Sequence, residues 1–165
     1  MFKLGDYIVY GTNGVCTVDE IGTIDFHENK KFRLYYTLTP VYAKGSKLFT
    51  PVDNDKVIMR PIISKEEAEA LVNNITNIET SWYTEERKCV EGYKSALKSC
   101  DCRELIKIIK ILYLSKQSKL AEGKKVTASD EKYFLLAKDS LYGELAIVLG
   151  IQKEKVEGYI TERIR

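Results

Sequence analysis

The residues with the chemistry to ligate a metal or catalyse a reaction are few, and their spacing argues against both roles. Cys100 and Cys102 are separated by one residue, whereas Cys16, Cys89 and the lone His27 lie far away in sequence. A structural zinc site wants two closely spaced ligand pairs, so free thiols and no metal are expected. His27 sits among Asp25, Glu28, Asn29 and Lys30, which reads as a solvated hairpin tip. Asp53 and Asp55 flank a turn and do not form an isolated acid–base pair. No phosphate-cradling glycine loop, nucleophile elbow or HExxH pattern occurs. The expectation is a protein that is not an enzyme and uses no cofactor.

Binding chemistry is better represented. Between Arg103 and Lys125 seven basic residues (103, 107, 110, 116, 119, 124 and 125) stand against Glu104 and Glu122, although the whole chain carries a net charge of only +2. At about 100° per residue, Leu105, Ile106, Ile108, Ile109, Leu112 and Tyr113 gather on one side of a helix, and Arg103, Lys107 and Lys110 line another. That stripe has two readings. The commoner is a solvated helix face; the other is phosphate contact, continued by Lys116, Lys119, Lys124 and Lys125. Trp82, the single tryptophan, lies in the polar context Glu79-Thr80-Ser81-Trp82-Tyr83-Thr84. It is either an anchor that seals a helical module or an exposed aromatic that inserts at a DNA step or packs on a partner.

The elements that must position these residues divide into two modules. Tyr7-Ile8-Val9-Tyr10, Val15-Cys16-Thr17-Val18, Phe32 to Thr39 and Lys47-Leu48-Phe49 read as strands, with turns at Asn13-Gly14 and Gly45-Ser46. They predict a small, strongly bent sheet or partial barrel. Small β modules of this kind bind by presenting a strand edge or a shallow apolar face. After Pro61 the pattern turns helical: Ser64-Lys65-Glu66-Glu67 is a capping box, with Ala68, Leu71 and Val72 following at helical spacing. Residues 73–81, largely polar and rich in Asn and Thr, read as a break between modules or a bend between helices. Further helices open at Asp101 and Thr127, Gly150 marks a helix end, and a last helix is expected over about 152–160. The predicted fold class is α+β with two domains, residues 1–62 and residues 63–165. The longest apolar run, Leu105 to Leu114, is interrupted by Lys107 and Lys110, and the first residues lack a signal-peptide layout, so a cytoplasmic location with no membrane partner is expected.

The string Phe2-Lys3-Leu4-Gly5-Asp6-Tyr7-Ile8-Val9-Tyr10-Gly11-Thr12-Asn13-Gly14-Val15 resembles the opening of the CarD/CdnL family of bacterial RNA polymerase-binding transcription regulators, a module shared with transcription-repair coupling factors. Tyr35-Tyr36 and Thr50-Pro51-Val52 fall where that module has its central strand and its strand-ending proline. The helical part also looks like CarD: Trp82, Tyr93-Lys94, Ser99-Cys100-Asp101, Asp130-Glu131 and Gly143-Glu144-Leu145-Ala146. Cys100 stands where a glycine is common in the family.

The resemblance implies a Tudor-like bent sheet that docks on the β subunit of RNA polymerase through Ile24, Phe26, Lys47 and Phe49. It also implies an all-α domain that meets promoter DNA at the upstream edge of the melted region. There Trp82 would wedge into the minor groove and stabilise the open complex, with phosphate contacts from Arg87, Lys88 and Lys132, and Arg103 and Lys107 behind them. No small-molecule substrate is implied. The alternative is a protein–protein adaptor on RNA polymerase that does not touch DNA.

Overall fold

In the computed structural model, residues 1–23, 33–78 and 86–164 are described, with the helical backbone alone for 86–89. They divide into two compact units, Met1–Ile62 and Ile63–Arg165. The first is an antiparallel sheet and the second is helical, an α+β organisation in two parts, as the sequence predicts.

Five strands form the sheet: β1 Tyr7–Tyr10, β2 Val15–Thr23, β3 Leu34–Pro40, β4 Leu48–Pro51 and β5 Met59–Pro61, in the order β4-β3-β2-β1-β5. Alternation places Tyr36 and Leu38 of β3 inward, where they pack with Ile8, Cys16 and Val18. β2 keeps an apolar face along its length because a bulge falls between Val18 and Glu20. The extra residue, Asp19, shifts the phase by one, so that Ile21 pairs with Tyr36 and faces the same core. Asp19 is fixed on the other face, where its carboxyl group accepts hydrogen bonds from the hydroxyls of Thr17 (3.0 Å) and Thr39. The N-terminal segment closes the core: the Phe2 N–H donates to the Tyr36 hydroxyl at 2.9 Å, and the two rings lie 5.8 Å apart.

The turn read at Asn13-Gly14 is the end of a 3-10 turn, Gly11–Asn13, which Gly14 closes at φ +75°. Gly11 has φ +50°, and a Cβ there would lie 2.6 Å from Val57 Cγ1, so both backbone conformation and space require glycine. β5 and the far half of β2 extend beyond the strands read from sequence. β5 is three residues containing Arg60 and Pro61, and only its pairing with β1 makes it a strand.

The helical unit contains α1 Lys65–Asn73, α2 Glu86–Ser99, α3 Cys102–Ala121, α4 Ala128–Leu149 and α5 Val156–Ile164. The starts of α1, α3 and α4 are those the sequence marks. Ser64 Oγ accepts from Glu67 N–H (3.1 Å) while Glu67 Oε2 accepts from Ser64 N–H (2.8 Å), completing the capping box. Asp101 accepts from Arg103 N–H at 2.8 Å, and Thr127 accepts from Asp130 N–H at 3.1 Å. Gly150, at φ +67°, ends α4: Ile151 N–H reaches the Ala146 carbonyl at 3.0 Å and Gly150 N–H the Ile147 carbonyl at 3.3 Å, the paired bonds of a Schellman ending. The final helix is displaced from 152–160, because residues Lys153–Lys155 form a 3-10 turn before α5 begins.

α3 and α4 make the main helical hairpin, with α2 against both and α1 against α4 and α5. Leu105, Ile108, Leu112, Ala137, Leu141 and Leu145 form the centre of the core. Two residues of α3 depart from the expected face. Ile111 is buried and Tyr113 is 52 % exposed, because α2 and α4 cover α3 from two sides and widen its buried sector toward Ile111. Among the described residues no helix is long and apolar enough to cross a membrane.

Candidate functional site

On the sheet unit the relevant feature is β4, which lies at the end of the strand order. The Val52 N–H bonds the Leu34 carbonyl at 3.0 Å, and the register continues through Tyr36↔Thr50 and Leu38↔Leu48. In an antiparallel ladder these are the hydrogen-bonded pairs, so the intervening pair Thr37↔Phe49 directs its backbone groups away from the shared ladder. The N–H and C=O of Phe49 therefore point outward from β3. Side chains approach most closely in such a pair, so Phe49 lies beside Thr37, which is buried although it sits on the outer face. Phe49 itself remains 47 % exposed, and the exposed Lys47 directly precedes the strand. The edge is short and stops at Pro51, which has no N–H to extend it. Ile24 and Phe26 lie outside the described residues.

On the helical unit the basic stripe of α3 is largely answered from within the protein. Lys107 Nζ is 2.9 Å from Glu104, and this hydrogen-bonded carboxylate raises the Lys107 pKa above its ordinary value of 10.5. Lys119 pairs with Asp130 at 3.0 Å, Lys116 with Glu131 at 4.0 Å and Lys124 with Glu122 at 2.9 Å. Lys110 differs from both readings of the stripe, neither simply solvated nor turned outward: its ammonium donates to the backbone carbonyls of Ile75 (2.9 Å) and Ile78 (2.7 Å). The signal was present in the sequence: Ile106, Tyr113 and Leu114, at four before and three and four after, are apolar neighbours of Lys110 on the helix surface.

Arg103 and Lys125 are exposed and have no ion-pair partner among the described residues. Lys132 is exposed near the start of α4, with its ammonium 5.5 Å from the centre of the Tyr133 ring. The cross-helix pairs Lys116–Glu131 and Lys119–Asp130 set Lys132 level with about residue 115 of α3. Arg103 is then roughly 18 Å away along the helix axis. Arg103 and Lys107 are thus one locality and Lys132 another. Arg87 and Lys88 belong to α2 by backbone, without described side chains, and Trp82 lies outside the described residues.

The other chemistry-bearing residues have structural partners. Asp53 pairs with Arg33 at 3.0 Å. Cys16, Cys100 and Cys102 are buried free thiols, and Cys102 donates to the buried Glu144 at 3.3 Å. No group of three or more potential metal ligands occurs among the described residues. Glu144 carries no role in the sequence analysis, yet a glutamate between Gly143 and Leu145-Ala146 in an apolar helix is itself a signal of a buried, partnered carboxyl group.

A small antiparallel sheet with an outward-facing edge strand, followed by a separate helical unit, is a two-part α+β protein whose recognisable features are surfaces. The family described as CarD-like/TRCF RID domain matches residues 2–63, so the first unit is a domain of that family and the chain is consistent with a CarD-like family member. Such domains mediate RNA polymerase interaction, which makes this an RNA polymerase-interacting, transcription-related protein. No curated protein matches the sequence.

Proposed function

We propose that the chain is a non-enzymatic bacterial transcription regulator that holds the β subunit of RNA polymerase with its sheet unit and promoter DNA with its helical unit, stabilising the open complex during initiation. The observation that carries the reading is the CarD-like/TRCF RID match over residues 2–63, in a unit whose β4 edge turns Phe49 outward. Lys47 and Phe49 are the described members of the proposed polymerase contact, and Ile24 and Phe26 complete it. On the helical unit Trp82 acts as the wedge at the upstream edge of the melted DNA, since opening a base step needs a large, flat apolar side chain. Arg87, Lys88, Arg103, Lys107 and Lys132 supply phosphate contacts, which hold the duplex in register and read little sequence. Weak intrinsic DNA affinity suffices, because attachment to the polymerase raises the effective concentration of the helical unit at the promoter. The proposed setting is the cytoplasm.

A second reading is favoured by one observation. Lys107, Lys116, Lys119 and Lys124 are all paired with carboxylates of the same unit, and Lys110 with carbonyls. An adaptor on polymerase that never touches DNA needs no free basic surface. Open-complex lifetime on a promoter separates the two, measured with wild type and Trp82→Ala. The wedge reading expects the variant to lose most of the prolongation, about tenfold or more in lifetime. A variant that prolongs the complex as well as wild type does would favour the adaptor.

A further inference from the structure

Among the described residues the half-buried Lys110 is answered only by neutral groups, the carbonyls of Ile75 (2.9 Å) and Ile78 (2.7 Å). An ammonium has three N–H donors, so two carbonyls leave one donor unused and the charge without a counter-ion. Where little water screens it, such a cation attracts an anion strongly. Lys110 and Ile75 both line a groove of about 340 Å³ between α3, α4 and α5, within the range of small-molecule sites, about 300–1,000 Å³. The floor of the groove belongs to the core, for Ile106, Leu141 and Ile160 are buried. Its rim is apolar but open, with Tyr113 52 % and Ile164 40 % exposed. Glu157, the one carboxylate of the lining, is already answered by Lys138 at 3.5 Å, and the Thr161 hydroxyl donates to the Glu157 carbonyl at 2.8 Å. Lys138 and Lys116 also lie 5.0 Å and 6.0 Å from the centre of the Phe134 ring, which faces the same groove. The surroundings are therefore apolar below and cationic at the edge.

We infer that this groove binds a small amphiphile bearing one carboxylate, whose apolar body lies over Ile106, Leu141 and Tyr113 while its carboxylate takes the remaining N–H of Lys110. The isoleucine and leucine floor selects the body, because covering it releases water from apolar surface. Lys110 selects the head: an anion supplies the counter-charge that two carbonyls do not, whereas a neutral head gains only a weaker hydrogen bond and a cationic one is repelled. The site stands apart from the DNA and polymerase readings of the two units and does not depend on either.

The test titrates the full chain with three probes that share one tail and differ in the head: octanoate, 1-octanol and octylammonium. Amide chemical shifts should saturate with octanoate, change most along 106–113 and 160–164, and give an affinity about tenfold or more above that of the other two probes. Lys110→Met, which keeps the stem and removes the ammonium, should bring octanoate down to the octanol affinity. Ile164→Glu, at the exposed end of α5, puts a carboxylate in the groove with little effect on folding, and should weaken octanoate about tenfold or more and octanol less. Absence of saturation, equal affinity for octanoate and octanol, or shifts lying away from the groove would each overturn the inference. So would an octanoate affinity that Ile164→Glu leaves unchanged, which decides the matter even if Lys110→Met does not fold. A wild type that sediments as a dimer while Ile164→Glu sediments as a monomer would also overturn it, because a second copy would then cover the groove.

Discussion

The carboxyl group of Glu144 accepts a hydrogen bond from the backbone N–H of Ile63 at 3.0 Å, across 81 residues of sequence. Its other oxygen accepts from the Cys102 thiol at 3.3 Å, and the side chain is 2 % exposed. One buried group on α4 therefore ties the entry to α1 to the start of α3. Removing it would leave the Ile63 N–H and the Cys102 thiol without that acceptor and open a cavity. Glu144→Ala is expected to destabilise the helical unit by about 3 kcal/mol, and Glu144→Gln, which keeps one acceptor, by about half as much. Urea unfolding followed by helical circular dichroism checks this; equal losses for Ala and Gln would show that neither the retained volume nor the one retained acceptor of Gln stands in for the carboxylate, against this prediction.

Cys100 adopts φ +55°, the one left-handed non-glycine residue among those described, at the junction of α2 and α3. The strain of this conformation is about 1 kcal/mol for a side chain such as cysteine and larger for a β-branched one. Its side chain is nevertheless buried, with the thiol 3.7 Å from the Lys98 carbonyl. Cys100→Gly relieves strain and loses packing, so it should change stability by less than about 1 kcal/mol. Cys100→Val should cost about 2 kcal/mol or more. Thermal melts of the two variants decide it, and a Val variant as stable as the Gly variant would mean that the junction relaxes without penalty.

Burial pushes the Cys16 thiol from 9.0 up to about 11, and the nearby Asp19 carboxylate adds to the rise. A thiol that ionises later in the folded than in the unfolded protein stabilises the fold fully below pH 9, and that contribution is lost as pH climbs toward 11. The full effect is about 2–3 kcal/mol. Wild type should therefore lose stability between pH 9 and 11 faster than Cys16→Ala does, measured as the difference between their urea midpoints at each pH. Parallel curves would show that Cys16 does not ionise differently on unfolding.

Local features of this fold were legible and cross-chain ones were not. Ser64, Asp101, Thr127 and Gly150 announce helix ends because capping is settled within a few residues of sequence. β5 was invisible because Met59-Arg60-Pro61 becomes a strand only against β1. The Asp19 bulge was invisible because alternation read along β2 alone cannot reveal a slip against β3. The ion pairs of the basic stretch over 103–125 were hidden for the same reason: Asp130 and Glu131, which answer Lys119 and Lys116, arrive from the facing helix. Phe49 could be named from sequence, but the direction of its backbone required the register with β3.

The ion pairs make a graded prediction about DNA. Arg103 sits in the first turn of α3, where the helix dipole disfavours a cation, and it has no ion-pair partner among the described residues. Its guanidinium is available to a phosphate at little cost. Lys119 must first give up Asp130, 3.0 Å away. In a plot of log binding constant against log salt for duplex DNA, Arg103→Gln should reduce the slope by about 0.9, the loss of one phosphate contact, whereas Lys119→Gln should shift it by less than half of that. Fluorescence anisotropy with a labelled duplex between low and moderate salt gives both slopes. Equal changes would restore the continuous basic stripe as the binding surface, and a wild type without salt-dependent binding would turn the balance toward the adaptor.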